Sequence, residues 1–242
     1  MDWISSSKEI EQRYIINPHN WLYLPSKYLE YHQAEIGSWK AWIVIDKFYT
    51  RTQDIFSWVH SDSLMTIQSF LSTISTDQAI KLRVRKILDP RNRTERAEFT
   101  VKEKTNHPEF KIYKEHNIDI DTSLAMNLIR HIAPEHKITD EHSEHGVRKL
   151  RYNIPGPDWK IWDIDALQGL NASLHIWEIE VNSIDTIIQL PKWAVMRVNG
   201  NPEFRFLGTN VKKYNISIFF FVSQTFNHAP EGCYSNSSRY KN

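Results

Sequence analysis

In segment after segment of this chain a charged residue recurs at every second position. "KEIEQRYI" (8–15) places Glu9, Glu11 and Arg13 alternately, with Ile10, Gln12 and Tyr14 between them. A strand sends successive side chains to opposite faces, so these three share one face. The alternation returns in "WIVIDKFYT" (42–50), "IKLRVRKIL" (80–88), "RAEFTVKEK" (96–104), "FKIYKEHNI" (110–118), "VRKLRYNIP" (147–155), "WKIWDID" (159–165) and "LHIWEIEVN" (174–182). Rich in Ile, Val, Tyr, Trp and Thr, these segments predict eight strands. Lys81, Arg83 and Arg85 share a face, as do Glu98, Thr100, Lys102 and Lys104, Lys149 and Arg151, Asp163 and Asp165, and Glu178 and Glu180. The residues between them are mostly apolar: Leu82, Val84, Phe99, Val101, Leu150, Ile164, Trp177, Ile179 and Val181.

A half-exposed antiparallel sheet would carry mixed signs along its wet side. Here sign follows strand: 9–13 and 178–180 are mainly acidic, while 81–85, 102–104 and 149–151 are basic. Sorting of this kind predicts a mainly β (α+β) fold, a closed eight-stranded antiparallel tunnel barrel. Its charged interior would have an acidic wall and a basic wall, with helices packed outside. An interior so charged is costly to dehydrate and must hold water, metal or a charged ligand.

Helical periodicity is sparser. "SDSLMTIQSFLSTIS" (61–75) puts Leu64, Ile67, Phe70, Leu71 and Ile74 on one face, and "DTSLAMNLIRHIA" (121–133) does so with Leu124, Leu128, Ile129 and Ile132. "SKYLEYHQAEI" (26–36) reads as a weaker helix after Pro25. "DPRNRTER" (89–96) reads as a hairpin loop and "PEHKITDEHSEHG" (134–146) as an exposed charged connection. With no internal repeat, residues 1–215 read as one domain with an inserted helical region at 51–79. Residues 216–242 read as an extra strand or dimer contact followed by a tail.

Composition removes several classes of function. A net charge of +1 argues against binding nucleic acid through bulk charge. Seven glycines, with no GxxxxGK[ST] or GxGxxG, leave no glycine-rich loop to cradle a phosphate, so side chains must do so. One cysteine, Cys233, excludes an internal disulfide framework and suits a reducing, cytoplasmic setting. "ISIFFFV" (216–222) is too short to span a bilayer, so no membrane association is expected.

Paired glutamates on strands supply hard oxygen donors suited to Mg²⁺ or Mn²⁺. Several inward cations, arginines among them, suit a run of phosphate groups. Together they describe a polyphosphate site with a divalent metal.

The same residues resemble the CYTH, or triphosphate tunnel metalloenzyme, superfamily. "EIEQR" is similar to its ExExK strand, with Arg13 in place of lysine, and Arg83/Arg85 and Lys102/Lys104 are similar to its RxR and KxK strands. "KLRYNIP" matches K-x-R-Y-x-I/V-P, "WDID" matches W-x-x-D, and Glu178/Glu180 stand for the acidic ExE strand. Pro191/Trp193 and "NPEFRF" (201–206) have counterparts too, so the likeness runs in order over about residues 8–206. It departs at Tyr113, where an acid is expected between Lys111 and Glu115, and at 51–79 and the tail.

The resemblance implies divalent-metal-dependent hydrolysis of a triphosphate held in the tunnel: inorganic tripolyphosphate, ATP or another nucleoside triphosphate, or the 5′-triphosphate end of an RNA. Glu9, Glu11, Glu115, Asp165, Glu178 and Glu180 would hold Mg²⁺ or Mn²⁺. Arg13, Lys81, Arg83, Arg85, Lys102, Lys104, Lys149 and Arg151 would hold the substrate, with Glu9, Glu11, Lys149 and Arg151 acting in catalysis. Two alternatives stay open: a class IV-type adenylyl cyclase making cyclic AMP, and a non-catalytic binder of a phosphorylated ligand. A homodimer is also compatible with the sequence.

Overall fold

The computed structural model describes residues 5–16, 28–40, 44–57, 59, 61–74, 78–105, 111–132, 146–168, 175–191 and 194–199. Every one of them lies within a single compact unit, 1–210. The strands are β1 (Ser5–Ile16), β2 (Leu29–Lys40), β3 (Ala79–Asp89), β4 (Thr94–Thr105), β5 (Lys111–Ile120), β6 (Gly146–Pro155), β7 (Ile161–Leu167), β8 (His175–Glu180) and β9 (Ala194–Arg197). Helices α1 (Val44–Phe56) and α2 (Ser61–Ser72) connect β2 to β3, and α3 (Thr122–Ile132) follows β5.

All pairings are antiparallel, in the order β5-β4-β3-β2-β6-β7-β8-β1, and β1 pairs back to β5. Eight strands therefore close into a barrel. Glu11 marks the seam, lying opposite Lys111 on one edge of β1 and Glu180 on the other. β9 adds beside the far end of β1, at Tyr14–Ile16.

Closure gives each strand a lumen face and an outer face. On the outer side of β2 to β5, Ala34, Ile36, Ile80, Leu82, Val84, Phe99, Val101 and Ile118 pack against the buried faces of the three helices. Phe99 is the joint: Phe48 of α1 meets it edge-on at 5.6 Å and Phe70 of α2 at 6.2 Å. Asp121 caps α3, its Oδ1 accepting from the backbone N–H of Ser123 and Leu124 at 2.8 and 3.0 Å. Around the rest of the barrel, Tyr14, Trp162, Ile164, Trp177 and Ile179 form a second apolar cluster, with Ile188 of the following segment packed on it.

Two expectations fail. Where a strand is expected over 42–50, residues 44–50 are the start of α1, and 42–43 lie outside the described residues: Val44, Phe48, Thr52 and Ile55 recur at helical spacing and are buried together. Where a helix is expected over 26–36, residues 29–36 belong instead to β2, whose Tyr31, Gln33 and Glu35 alternate with His32, Ala34 and Ile36, and 26–27 lie outside the described residues. The number of barrel strands is unchanged, with one segment exchanged for its neighbour. The turn at 90–93 is shorter than expected and organised by Asp89, which accepts from the backbone N–H of Arg91 at 3.0 Å and from Asn92 Nδ2 at 2.9 Å. Residues 134–145, Trp193, 201–206 and 216–242 lie outside the described residues. No helix among the described residues is long and apolar enough to cross a membrane.

Candidate functional site

Register carries the charged faces around the ring. On β3 and β4, Lys81 lies opposite Lys102, Arg83 opposite Thr100 and Arg85 opposite Glu98. Lys102 then faces Glu115 of β5. On the other side, Arg151 of β6 lies opposite Asp165 of β7, Asp163 opposite Glu178 of β8, and Glu178 opposite Arg13 of β1. Almost every charge singled out in the sequence thus reaches one lumen.

The acid and base walls interlock more than the sequence implies. Bases fill β3 and acids fill β7 and β8, while β4 carries both Lys102 and Glu98, so each wall meets the opposite sign on a neighbouring strand. Arg151 is the densest node: its Nε and Nη2 donate to Asp165 at 2.6 Å each, Nη1 to Asp163 at 2.6 Å, and Nη2 also to Glu178 at 3.3 Å. Lys149 donates to Asp165 at 2.5 Å. Arg13 holds Glu11 at 2.8 Å and Glu178 at 2.6 Å. Across the lumen, Glu115 accepts from Arg83 at 3.2 Å and Lys102 at 2.5 Å, and Glu98 pairs with Arg85 at 2.7 Å. Lys81 meets Glu35 at 3.3 Å nearer solvent.

Burial and these partners set the protonation states. Burial and then the Arg151 charge depress Lys149 to about 8, against the pull of Asp165 and Glu178. Burial would raise Asp165, but Arg151 and Lys149 overcome it and hold the carboxyl well below its usual range. Burial likewise opposes the charge on Arg151, and Asp165, Asp163 and Glu178 outweigh it. Glu180 is raised, first by burial and then by Asp163 and Glu11.

Glu180 bears on metal binding. It lies directly across the ladder from Glu11, and like charges in that position repel. Asp163 and Glu115 add to the same field. Hard oxygens crowded in this way fit Mg²⁺ or Mn²⁺, whose charge would relieve the repulsion. The acids are nonetheless held by bases, and among the described residues no three His, Cys, Asp or Glu side chains are preassembled as a metal site.

Of the sequence-predicted residues, Glu11, Glu178 and Glu180 come together at the β1–β8 seam, while Glu115 of β5 lies opposite Ser7 of β1 and is held by Arg83 and Lys102. Asp165 is taken up by Lys149 and Arg151. Arg13, Lys81, Arg83, Arg85, Lys102, Lys149 and Arg151 line the lumen, and Lys104 is exposed at the end of β4. The backbone of Glu9 pairs with Tyr113; its side chain lies outside the described residues. Tyr113 is buried, with Lys102 Nζ 5.5 Å from its ring centre.

The lumen also contains residues outside that set: Tyr31, Gln33 and Glu35 of β2, Glu98, Asp163, and the pair Thr100–Asn117, bonded at 2.7 Å. The alternation of Tyr31, Gln33 and Glu35 was a strand signal present in the sequence, hidden under residues that also favour helices.

No protein-family model matches the chain, and no curated protein does. Among solved structures, the chain is similar to the inorganic triphosphatase NE1496, at 17% identity and a TM-score of 0.41 over 81% of this chain and 90% of that one. It is similar to the PH1819 protein from Pyrococcus horikoshii OT3, at 14% identity and a TM-score of 0.40 over 73% of this chain and 80% of that one. It is also similar to HpAC1 from Hippeastrum, described as having a dominant triphosphatase activity, at 12% identity and a TM-score of 0.38 over 72% of this chain and 80% of that one.

Proposed function

We propose that the lumen binds a triphosphate together with Mg²⁺ or Mn²⁺ and hydrolyses it. The observation that carries this reading is the charge balance of a closed tunnel. Arg13, Lys81, Arg83, Arg85, Lys102, Lys149 and Arg151 face Glu11, Glu35, Glu98, Glu115, Asp163, Asp165, Glu178 and Glu180. Among the described residues such a lumen has no surplus of positive charge with which to take in a polyanion. It does so only if a second cation claims the carboxylates and frees the bases, which is what a divalent metal entering with the phosphates would do.

Arg83 and Arg85, with Lys81 and Lys102, support the phosphate chain from one wall, their guanidinium forks matching pairs of phosphate oxygens. Lys149 and Arg151 of β6 hold it from the far side of β2. Glu11, Glu178 and Glu180, with Glu9 and Glu115, would hold the metal, which supplies charge neutralisation and a more acidic water. A water attacks the terminal phosphorus and the bond to the bridging oxygen breaks. The electron pair stays on the departing diphosphate oxygen, where the arginines offset its charge. The water's proton passes to a carboxylate of the acidic wall that the metal does not hold. Positioning and field do most of the work.

The test is incubation with tripolyphosphate, ATP and GTP, each with Mg²⁺ and with Mn²⁺. Orthophosphate and a diphosphate product are expected. Cyclic nucleotide with pyrophosphate would identify a cyclase instead, and tight binding with no product would identify a binder.

A further inference from the structure

Tyr31 lies on β2, between β3 and β6, two strands rich in lumen bases. It is 6% exposed, and three cations stand over its ring: Lys149 Nζ and Arg151 Cζ at 5.4 Å from the centroid and Arg85 Cζ at 5.6 Å. Lys149 is its register partner on β6, while Arg85 is the register partner of Gln33, two residues along β2. Cations from two strands that do not pair with each other therefore meet at one aromatic ring.

The choice of side chain matters here. A carboxylate at this position would cancel one of the three charges outright. An aliphatic group would attract none of them. An aromatic ring attracts cations through its quadrupole and carries no charge of its own. It can draw positive groups together without itself cancelling their charge, which the acids of β4, β7 and β8 hold until a metal claims them. A phosphoryl group, accepting hydrogen bonds from guanidinium forks and an ammonium, is the ligand such a trio suits.

We infer that Tyr31 is a positioning residue whose ring gathers Arg85, Lys149 and Arg151 into one seat for a terminal phosphoryl group. The inference rests on the triphosphate reading, though the seat itself requires only a phosphate anion. Tyr31 acts through the three cations and takes no part in bond breaking.

The test compares Tyr31→Phe, which keeps the ring, with Tyr31→Leu, which removes it. Two readouts are taken, both with Mn²⁺ present: KM and kcat for tripolyphosphate, and the rise in Tm caused by inorganic phosphate, which cannot be turned over. Y31F is expected to retain both. Y31L is expected to raise KM about tenfold, with a smaller change in kcat, and to lose the phosphate-dependent rise in Tm. If Y31L does not fold, Y31M, closer to the ring in volume, replaces it. A wild-type phosphate response in the ring-less variant overturns the inference, and so does a loss in Y31F as large as in Y31L. If the protein hydrolyses no triphosphate, the phosphate response decides alone. A rise kept in Y31F and lost in Y31L upholds the seat while the hydrolase reading falls; no response in the wild type overturns the seat.

Discussion

Arg13 on β1 reaches Glu178 on β8, Nε to Oε1 at 2.6 Å, and the same guanidinium holds Glu11 through Nη2 at 2.8 Å. Two carboxylates proposed as metal ligands are thus already served by a cation belonging to the chain. Arg13 and a metal ion compete for the same oxygens, and the guanidinium becomes available to phosphate once the metal is in place.

Arg13→Gln separates these roles. Without metal the variant should lose about 1–3 kcal/mol of unfolding free energy in urea, because two carboxylates are left without their guanidinium. Mn²⁺ should then raise its melting temperature by more than it raises that of the wild type. Equal Mn²⁺ responses would contradict the competition.

Glu11→Gln and Glu178→Gln keep the size of each side chain and remove its charge. Turnover of tripolyphosphate should be lost in both while far-ultraviolet circular dichroism stays unchanged. Full activity in either variant excludes that residue as a metal ligand.

Asp165 is 3% exposed and accepts from both Lys149 and Arg151. Asp165→Asn leaves two buried cations short of a counter-charge, and a loss of about 3–5 kcal/mol is expected by denaturant titration. The folded-state pKa lies below the ordinary value, so the stability it contributes is present above that value and is lost as pH falls through the folded one. The acid limb of the wild-type stability curve should therefore flatten in D165N.

Lys149 responds to pH in the opposite range. Its folded-state pKa is depressed to about 8 from an ordinary 10.5. Between these values the unfolded chain binds more protons, so the contribution of Lys149 to stability rises with pH. Phosphate affinity moves the other way, because the ammonium facing Arg151, Asp165, Glu178 and Tyr31 is lost. KM for tripolyphosphate should climb above pH 8, and Lys149→Met should remove that climb from a profile that starts higher. A wild-type KM that is flat from pH 7 to 9.5 would count against the role of the ammonium.

The barrel was legible in the sequence because its lumen is charged. Lys81, Arg83 and Arg85 beside Leu82 and Val84 leave no doubt about which side faces which, and the ExE and RxR strands repeat that pattern. β2 was not legible for the same reason. Its lumen residues Tyr31, Gln33 and Glu35 are of mixed type, and Glu30 and His32 make the start of its outer face polar too. Alternation by polarity therefore disappears just where the strand begins. α1 failed in the reverse sense: Val44, Ile45 and Tyr49 suggest a strand locally, and only Thr52 and Ile55, further along, reveal the helical period. Pairing was the other gap. That Arg13 would choose Glu11 and Glu178, or that Arg151 would gather three acids, depends on strand neighbours that spacing along one chain does not encode.

β1 is the first of the described strands, yet its edges are filled by β5, β8 and β9, all far later in the chain. As the nascent chain leaves the ribosome, residues 5–16 must wait with both edges bare until Lys111 and then Glu180 have emerged. Pairing between segments so far apart in sequence is slow, and an unpaired edge invites association with other chains. Recovery of this protein from an overproducing host will therefore be governed by how well chaperones shield its first strand, more than by the stability of the finished barrel.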